Sequence, residues 1–192
     1  MNDVRGRSHP DSGLSLVEVL IACALAAGLA AASGGVAQGS ADRVRARQAV
    51  RHLAGEFARA RALALARSAA VAISFGPDTE GVPMAIYGDG NGNGVRAAEI
   101  SSGIDVALSP PRRLTQLFPG VHFGVVDSAA GSLPVRLGGT RLVTFSPLGT
   151  STSGSLYLAG RDGSQYVLRI AGAAARVRIL RLNRATGTWG EL

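Results

Sequence analysis

At 192 residues the chain is long enough for one compact domain and a further segment. It is 46% apolar but only 5% aromatic, so Ala and Gly rather than bulky side chains carry much of its hydrophobicity. The net charge is +7 and every basic residue is Arg; the lone Cys23 excludes an intrachain disulfide, and the scattered His9, His52 and His122 leave a zinc site without ligands. Such a basic balance suits nucleic acid, anionic lipid or an acidic partner, and equally a plain solvated surface.

The first thirteen residues are short and polar. Residues 14–37 form an apolar run with Glu18 as its only charge. As a helix rising 1.5 Å per residue, this run would reach roughly 36 Å, enough to cross a bilayer. It is longer than the apolar core of a secretory signal and longer than a buried core helix needs, although Ala30 and Ala32 could imitate a cleavage site. An ordinary single-pass anchor fits the length. Glu18 fits that reading poorly, because an acid near the start of a span costs a few kcal/mol until something neutralises it. A free amino group on a neighbouring chain would do so. Arginines near the ends, Arg5 and Arg7 before the run and Arg43, Arg45, Arg47 and Arg51 after it, would by count alone put the C-terminal side in the cytoplasm.

A Gly/Ser break at Gly34, Gly35, Gly39 and Ser40 predicts a kink or local melting. Residues 38–70 then continue as an amphipathic helix, with Asp42 as a candidate cap. Val50, Leu53, Phe57, Ala60 and Ala64 recur at spacings of three and four and form an apolar stripe; Arg45, His52 and Arg59 lie elsewhere. From residue 71 the period becomes strand-like. Candidate strands are 71–75, 84–87, 121–126, 141–145, 156–158, 165–170 and 176–180, with 101–120 and 127–140 less regular. Arg161-Asp162-Gly163-Ser164 reads as a hairpin turn. The fold class is therefore α+β: a long N-terminal helix, partly transmembrane, packed on a C-terminal antiparallel β-sheet domain over 71–192.

Asp89-Gly90-Asn91-Gly92-Asn93-Gly94 opens like a calcium loop, with Asp89, Asn91, Asn93 and Glu99 as the candidate ligands. Residue 100, where the bidentate acid belongs, is Ile100, and a tight strand-connecting turn explains the same residues without an ion. Arg176 and Arg178 alternate with Val177 and Ile179, which puts both arginines on one face of a strand. They suit phosphate contact, or protection of a sheet edge by charge. No nucleophile–base set and no phosphate loop are present, so no enzyme and no cofactor are expected.

Gly13-Leu14-Ser15-Leu16-Val17-Glu18 resembles the processing site of type IV prepilins and type II secretion pseudopilins, with Leu14 where that class usually has Phe. The resemblance implies a leader, 1–13, removed after Gly13 by a prepilin peptidase that methylates Leu14. It also implies an assembly role for Glu18 opposite a neighbour's new amino group, a leader on the cytoplasmic side, and a pilin-like domain in the periplasm of a bacterium, anchored once in the inner membrane. Residues 63–68, 85–95, 145–158 and 175–179 are similar to segments of the GspH/FimT group of minor pseudopilins and minor pilins. A minor pseudopilin of type II secretion is thus the leading expectation, its partners being other subunits of the filament tip, the peptidase, the membrane and secreted cargo. The alternative is a minor pilin that takes up DNA through Arg176 and Arg178, since Ala175-Arg176-Val177-Arg178 nearly matches the Gly-Arg-x-Arg segment of that branch. A third is an anchored β domain outside any filament.

Overall fold

The structure, a computed structural model, describes residues 15–77, 82–126 and 133–192, with backbone only for 30–38. Its contacts divide the chain into two compact units, Met1–Gly39 and Ser40–Leu192.

Helix α1 is assigned over Leu16–Arg67, 52 residues. The expected break at Gly34–Ser40 does not interrupt it. Its Ala- and Leu-rich composition explains why, since the helical preference of many such residues outweighs about 1 kcal/mol for each glycine. Asp42 is consequently an interior residue and not a cap; its Oδ1 accepts from Arg45 Nη1 at 2.7 Å. In the first unit Glu18 sits in the first helical turn, where a negative charge complements the helix dipole. Leu16, Val17, Leu20, Ile21, Leu25 and Leu29 are all exposed there. Among the described residues no helix is long and apolar enough to cross a membrane. The side chains that would complete the run expected over 14–37 lie outside the described set, as do the leader, Gly13 and Leu14.

The second unit is built on the rest of α1. The expected stripe is buried, extended toward the N-terminus by Ala46 and Ala49: all seven residues, through Val50, Leu53, Phe57, Ala60 and Ala64, have 0% exposure. Glu56 lies between His52 at 3.9 Å and Arg59 at 3.7 Å on another face. Two antiparallel sheets cover the stripe. The first has the order β3-β2-β1-β7, formed by Val106–Ala107, Pro83–Gly88, Val71–Phe75 and Leu142–Phe145, with β4 (Arg112–Arg113) also on β2. The second runs β11-β10-β9-β8-β5 through Thr188–Glu191, Arg176–Asn183, Gln165–Ala171, Gly154–Gly160 and Val121–Phe123, with β6 (Val135–Arg136) also on β8. Short helix α3 (Leu114–Leu117), with β3 and β4, lies in the segment 101–120 expected to be irregular, and α2 (Ala97–Ser102) runs into its start.

One core joins the three layers. Phe57 of α1 meets Phe75 and Phe145 of the first sheet edge-on, at 6.3 and 6.0 Å between ring centroids. Phe75 in turn meets Phe123 of the second sheet at 5.8 Å. Such tilted pairs add to the stabilisation that burial alone gives. The strand expected over 121–126 is shorter, and a buried glutamine accounts for its end. Gln165, 1% exposed, donates from Nε2 to the carbonyls of Gly124 and Leu158, and its Oε1 accepts from Val126 N–H. Gly124 N–H still donates to Tyr157 O of β8, and beyond that bond the backbone leaving β5 is satisfied by the Gln165 side chain. The 161–164 turn forms as expected, with Gly163 at φ +76° in the left-handed region.

Candidate functional site

β10 alternates as its sequence requires. Arg176 and Arg178 are exposed, while Val177 and Ile179 pack against the core. Register then extends the pair into a row. Arg178 lies opposite Arg169 of β9, Arg169 opposite Ser155 of β8, and Ser155 opposite Arg136 of β6. Directly opposed residues of neighbouring strands share a face, so Arg136, Arg169 and Arg178 line one side of the second sheet, with Arg176 two residues along. A shallow depression of about 520 Å³ lies over Ser155, Arg169, Arg176 and Arg178.

Glu191 of β11, opposite Leu180, shares this face but forms no ion pair with the row among the described residues. The ion pairs formed among the described residues involve Arg43, Arg45, His52, Arg59 and Arg96, and none of these four arginines. Like charges set opposite one another in a sheet are unfavourable by a few tenths of a kcal/mol to about 1 kcal/mol. A bound anion would reverse that sign. Beside the row, the Arg136 guanidinium carbon stands 5.0 Å from the centroid of the Tyr157 ring, and Tyr157 meets Trp189 of β11 edge-on at 6.1 Å. The face therefore offers planar cations and aromatic edges to an anionic partner.

Arg169 and Arg136 were not singled out from the sequence. Arg169 carries a signal, as the sole charge in the apolar strand 165–171. Its position opposite Arg178 depends on the register of a hairpin whose turn lies at 172–175, which the sequence does not spell out.

The other predicted residues fall elsewhere. Gly13 and Leu14 lie outside the described residues, and Glu18 is exposed on the first turn of α1. Around Asp89 the geometry is that of a self-bonded turn. Asp89 Oδ1 accepts from the N–H groups of Asn91 and Gly92, and Oδ2 from Gly94. Burial pushes the Asp89 carboxyl upward, but these backbone donors, with Asn93, outweigh it and hold its pKa below the ordinary value. Asn93 Nδ2 donates to Glu99 Oε1, so these two side chains engage each other. Asp105, buried at 2% exposure, accepts from Gly90 and Arg96 N–H and ties the turn to the loop after α2. Gly90 is required there, because a Cβ would stand 1.9 Å from the Ile104 carbonyl oxygen. Among the described residues no group of three or more His, Cys, Asp or Glu is arranged to hold a metal ion.

Comparison with known families matches residues 49–175 to the family described as type II transport protein GspH. Neither the curated proteins nor the solved structures give a significant match. The matched range covers α1 from Ala49 and the strands through β9; Arg176, Arg178 and β11 lie beyond it.

Proposed function

The chain belongs to the GspH family of type II transport proteins, and from that membership we propose that it is a minor pseudopilin of a bacterial type II secretion system. The family is structural rather than enzymatic, and its members join other pseudopilins in the pseudopilus. In this reading the N-terminal helix anchors the chain in the inner membrane and then enters the filament, with the Ser40–Leu192 unit in the periplasm. The observation that carries it is the contrast along α1. From Ala46 onward one face is fully buried in a closed core, whereas Leu16, Val17, Leu20, Ile21, Leu25 and Leu29 are exposed. A helix with large apolar residues on all sides needs lipid or other helices around it. In such surroundings Glu18 needs a counter-charge, and a neighbour's amino group at a newly cut Leu14 supplies one.

Co-expression of the full chain with a prepilin peptidase tests this. The expected product begins at Leu14 and is one methyl group heavier than the bare chain. Glu18→Leu should still be cut but should be missing from the sheared filament fraction. An uncut precursor would overturn the reading.

A second reading, a minor pilin that captures DNA, is favoured by the four arginines gathered on one sheet face, none of them in an ion pair among the described residues. DNA binding by the full chain, titrated with salt, tests it. If Arg176 and Arg178 sit on phosphates, the slope of log affinity against log salt falls by roughly 1–2 in the Arg176→Ala/Arg178→Ala variant. Weak binding that the substitutions leave unchanged favours the pseudopilin alone.

A further inference from the structure

The loop after β2 repeats one chemically labile step. In Asp89-Gly90, Asn91-Gly92 and Asn93-Gly94, a side-chain carbonyl is followed by the nitrogen of a glycine. A glycine nitrogen reaches its neighbour's Cγ readily, because no Cβ stands in the way. At an asparagine the nitrogen attacks Cγ and a C–N bond forms, while Nδ2 leaves as ammonia with the backbone proton. Water then opens the five-membered imide at either carbonyl. One opening gives aspartate. The other gives isoaspartate, in which the main chain runs through the former side chain.

Each of the three attacking nitrogens is engaged by a carboxylate. Gly90 N–H donates to Asp105 Oδ1 at 3.1 Å, Gly92 N–H to Asp89 Oδ1 at 2.7 Å and Gly94 N–H to Asp89 Oδ2 at 2.7 Å. Cyclisation requires the hydrogen bond to break and the nitrogen to lose its proton. A carboxylate opposes both steps, since it holds the N–H strongly and repels the anion left behind. Such a charge-assisted bond lowers the population of free N–H by about tenfold or more.

The positions are unequally secured. At Gly90 the backbone lies too close to the Ile104 carbonyl to admit even a Cβ, and both oxygens of Asp89 are already occupied. Asn93 Nδ2 donates to Glu99 Oε1 at 2.8 Å, so this amide must release Glu99 before it can leave. Asn91 is exposed, and open space surrounds the Cβ position of Gly92. Its Oδ1 accepts a long bond from Asn93 N–H at 3.3 Å, and its Nδ2 has no hydrogen-bond partner among the described residues. What restrains Asn91 is the hold of Asp89 on Gly92.

We propose that Asn91 is a site of spontaneous deamidation, and that the Asp89 carboxylate sets its rate by holding the Gly92 N–H. Asn93, under the same carboxylate and the further bond to Glu99, follows more slowly. The product carries one more negative charge in the loop, and its isoaspartate form lengthens the main chain between β2 and α2 by one carbon. The inference concerns the chain's own chemistry and stands apart from the filament and DNA readings.

The test uses the full chain, aged in mildly alkaline buffer at body temperature and then digested and weighed, a deamidated fragment being one mass unit heavier. The folded chain should react at Asn91 about tenfold more slowly than the same chain unfolded in guanidinium chloride, and at least about threefold faster than at Asn93. Asp89→Ala should raise the Asn91 rate about tenfold, toward the unfolded value. Glu99→Ala leaves the Asp89 bonds in place; it should bring Asn93 up to the rate of Asn91 without changing Asn91 itself. This second variant separates the loss of one bond from a general loosening of the loop. An Asn91 rate that is equal in the folded and unfolded chain, or that Asp89→Ala does not move, would overturn the proposal. So would faster reaction at Asn93 than at Asn91 in the unsubstituted chain, or an Asn91 rate raised by Glu99→Ala.

Discussion

Arg178 stands directly opposite Arg169 across the β9–β10 ladder, both exposed and neither paired with a carboxylate among the described residues. Replacing one of them should therefore stabilise the free protein. Arg169→Thr keeps a good strand former and removes the repulsion, for an expected gain of about 0.5 kcal/mol. The gain should shrink at high salt, because exposed charges are screened within about 10 Å at roughly 0.1 M. Thermal melts of both proteins at low and high salt decide this. The same substitution should weaken any anionic ligand of the face.

Phe57 is the side chain through which α1 grips the first sheet. Phe57→Ala loses its burial and two ring contacts, and should cost about 3–5 kcal/mol in a denaturant titration. Phe57→Leu should recover part of that loss, since it restores volume without the tilted pairs.

Removal of the Gln165 amide takes a partner from three backbone groups at once, two half-buried and one buried. Gln165→Met keeps the volume and leaves Gly124 O and Val126 N–H without that partner, while Leu158 O loses one of its donors but keeps its place opposite Tyr166 in the β8–β9 ladder. A loss of about 2–4 kcal/mol is expected by chemical denaturation, with the amide exchange of Val126 accelerated more than that of β9.

Asp89→Asn tests the turn by pH. The folded carboxyl has a lowered pKa, so its contribution is fully present above the usual carboxylate range and fades as pH falls through the folded value. The wild-type advantage over Asp89→Asn should be about 1–2 kcal/mol near neutral pH. It should shrink in acid, once the wild-type carboxyl is itself protonated. A difference that stays constant into acid would mean that turn geometry, and not charge, is what the substitution damages.

The sequence made the helical stripe and most of the strands legible, because residues 50–64 and the strands from 71 onward carry clean periods of 3.6 and 2. Its blind spots have local causes. β11, Thr188–Glu191, is exposed throughout and shows no alternation to read. β3, β4 and β6 are two residues long, too short for a period. Asp42 has the chemistry of a cap, but a helix start depends on what precedes it, and the glycines before it do not stop α1. At the candidate site, Arg176 and Arg178 were visible by alternation alone. Arg169 and Arg136 joined them only through strand register, which links residues far apart in the chain.

Gln165 has one more consequence. A strand shifted by one residue turns every side chain to the opposite face. For β9 such a slip would carry Arg169 into the core and bring Leu168 out. The three bonds of the Gln165 amide close in a single alignment, with Gly124, Leu158 and Val126 all in place. It works as an indexing pin: a residue hidden inside the protein holds the alignment in which this side of the sheet carries positive charge to the outside.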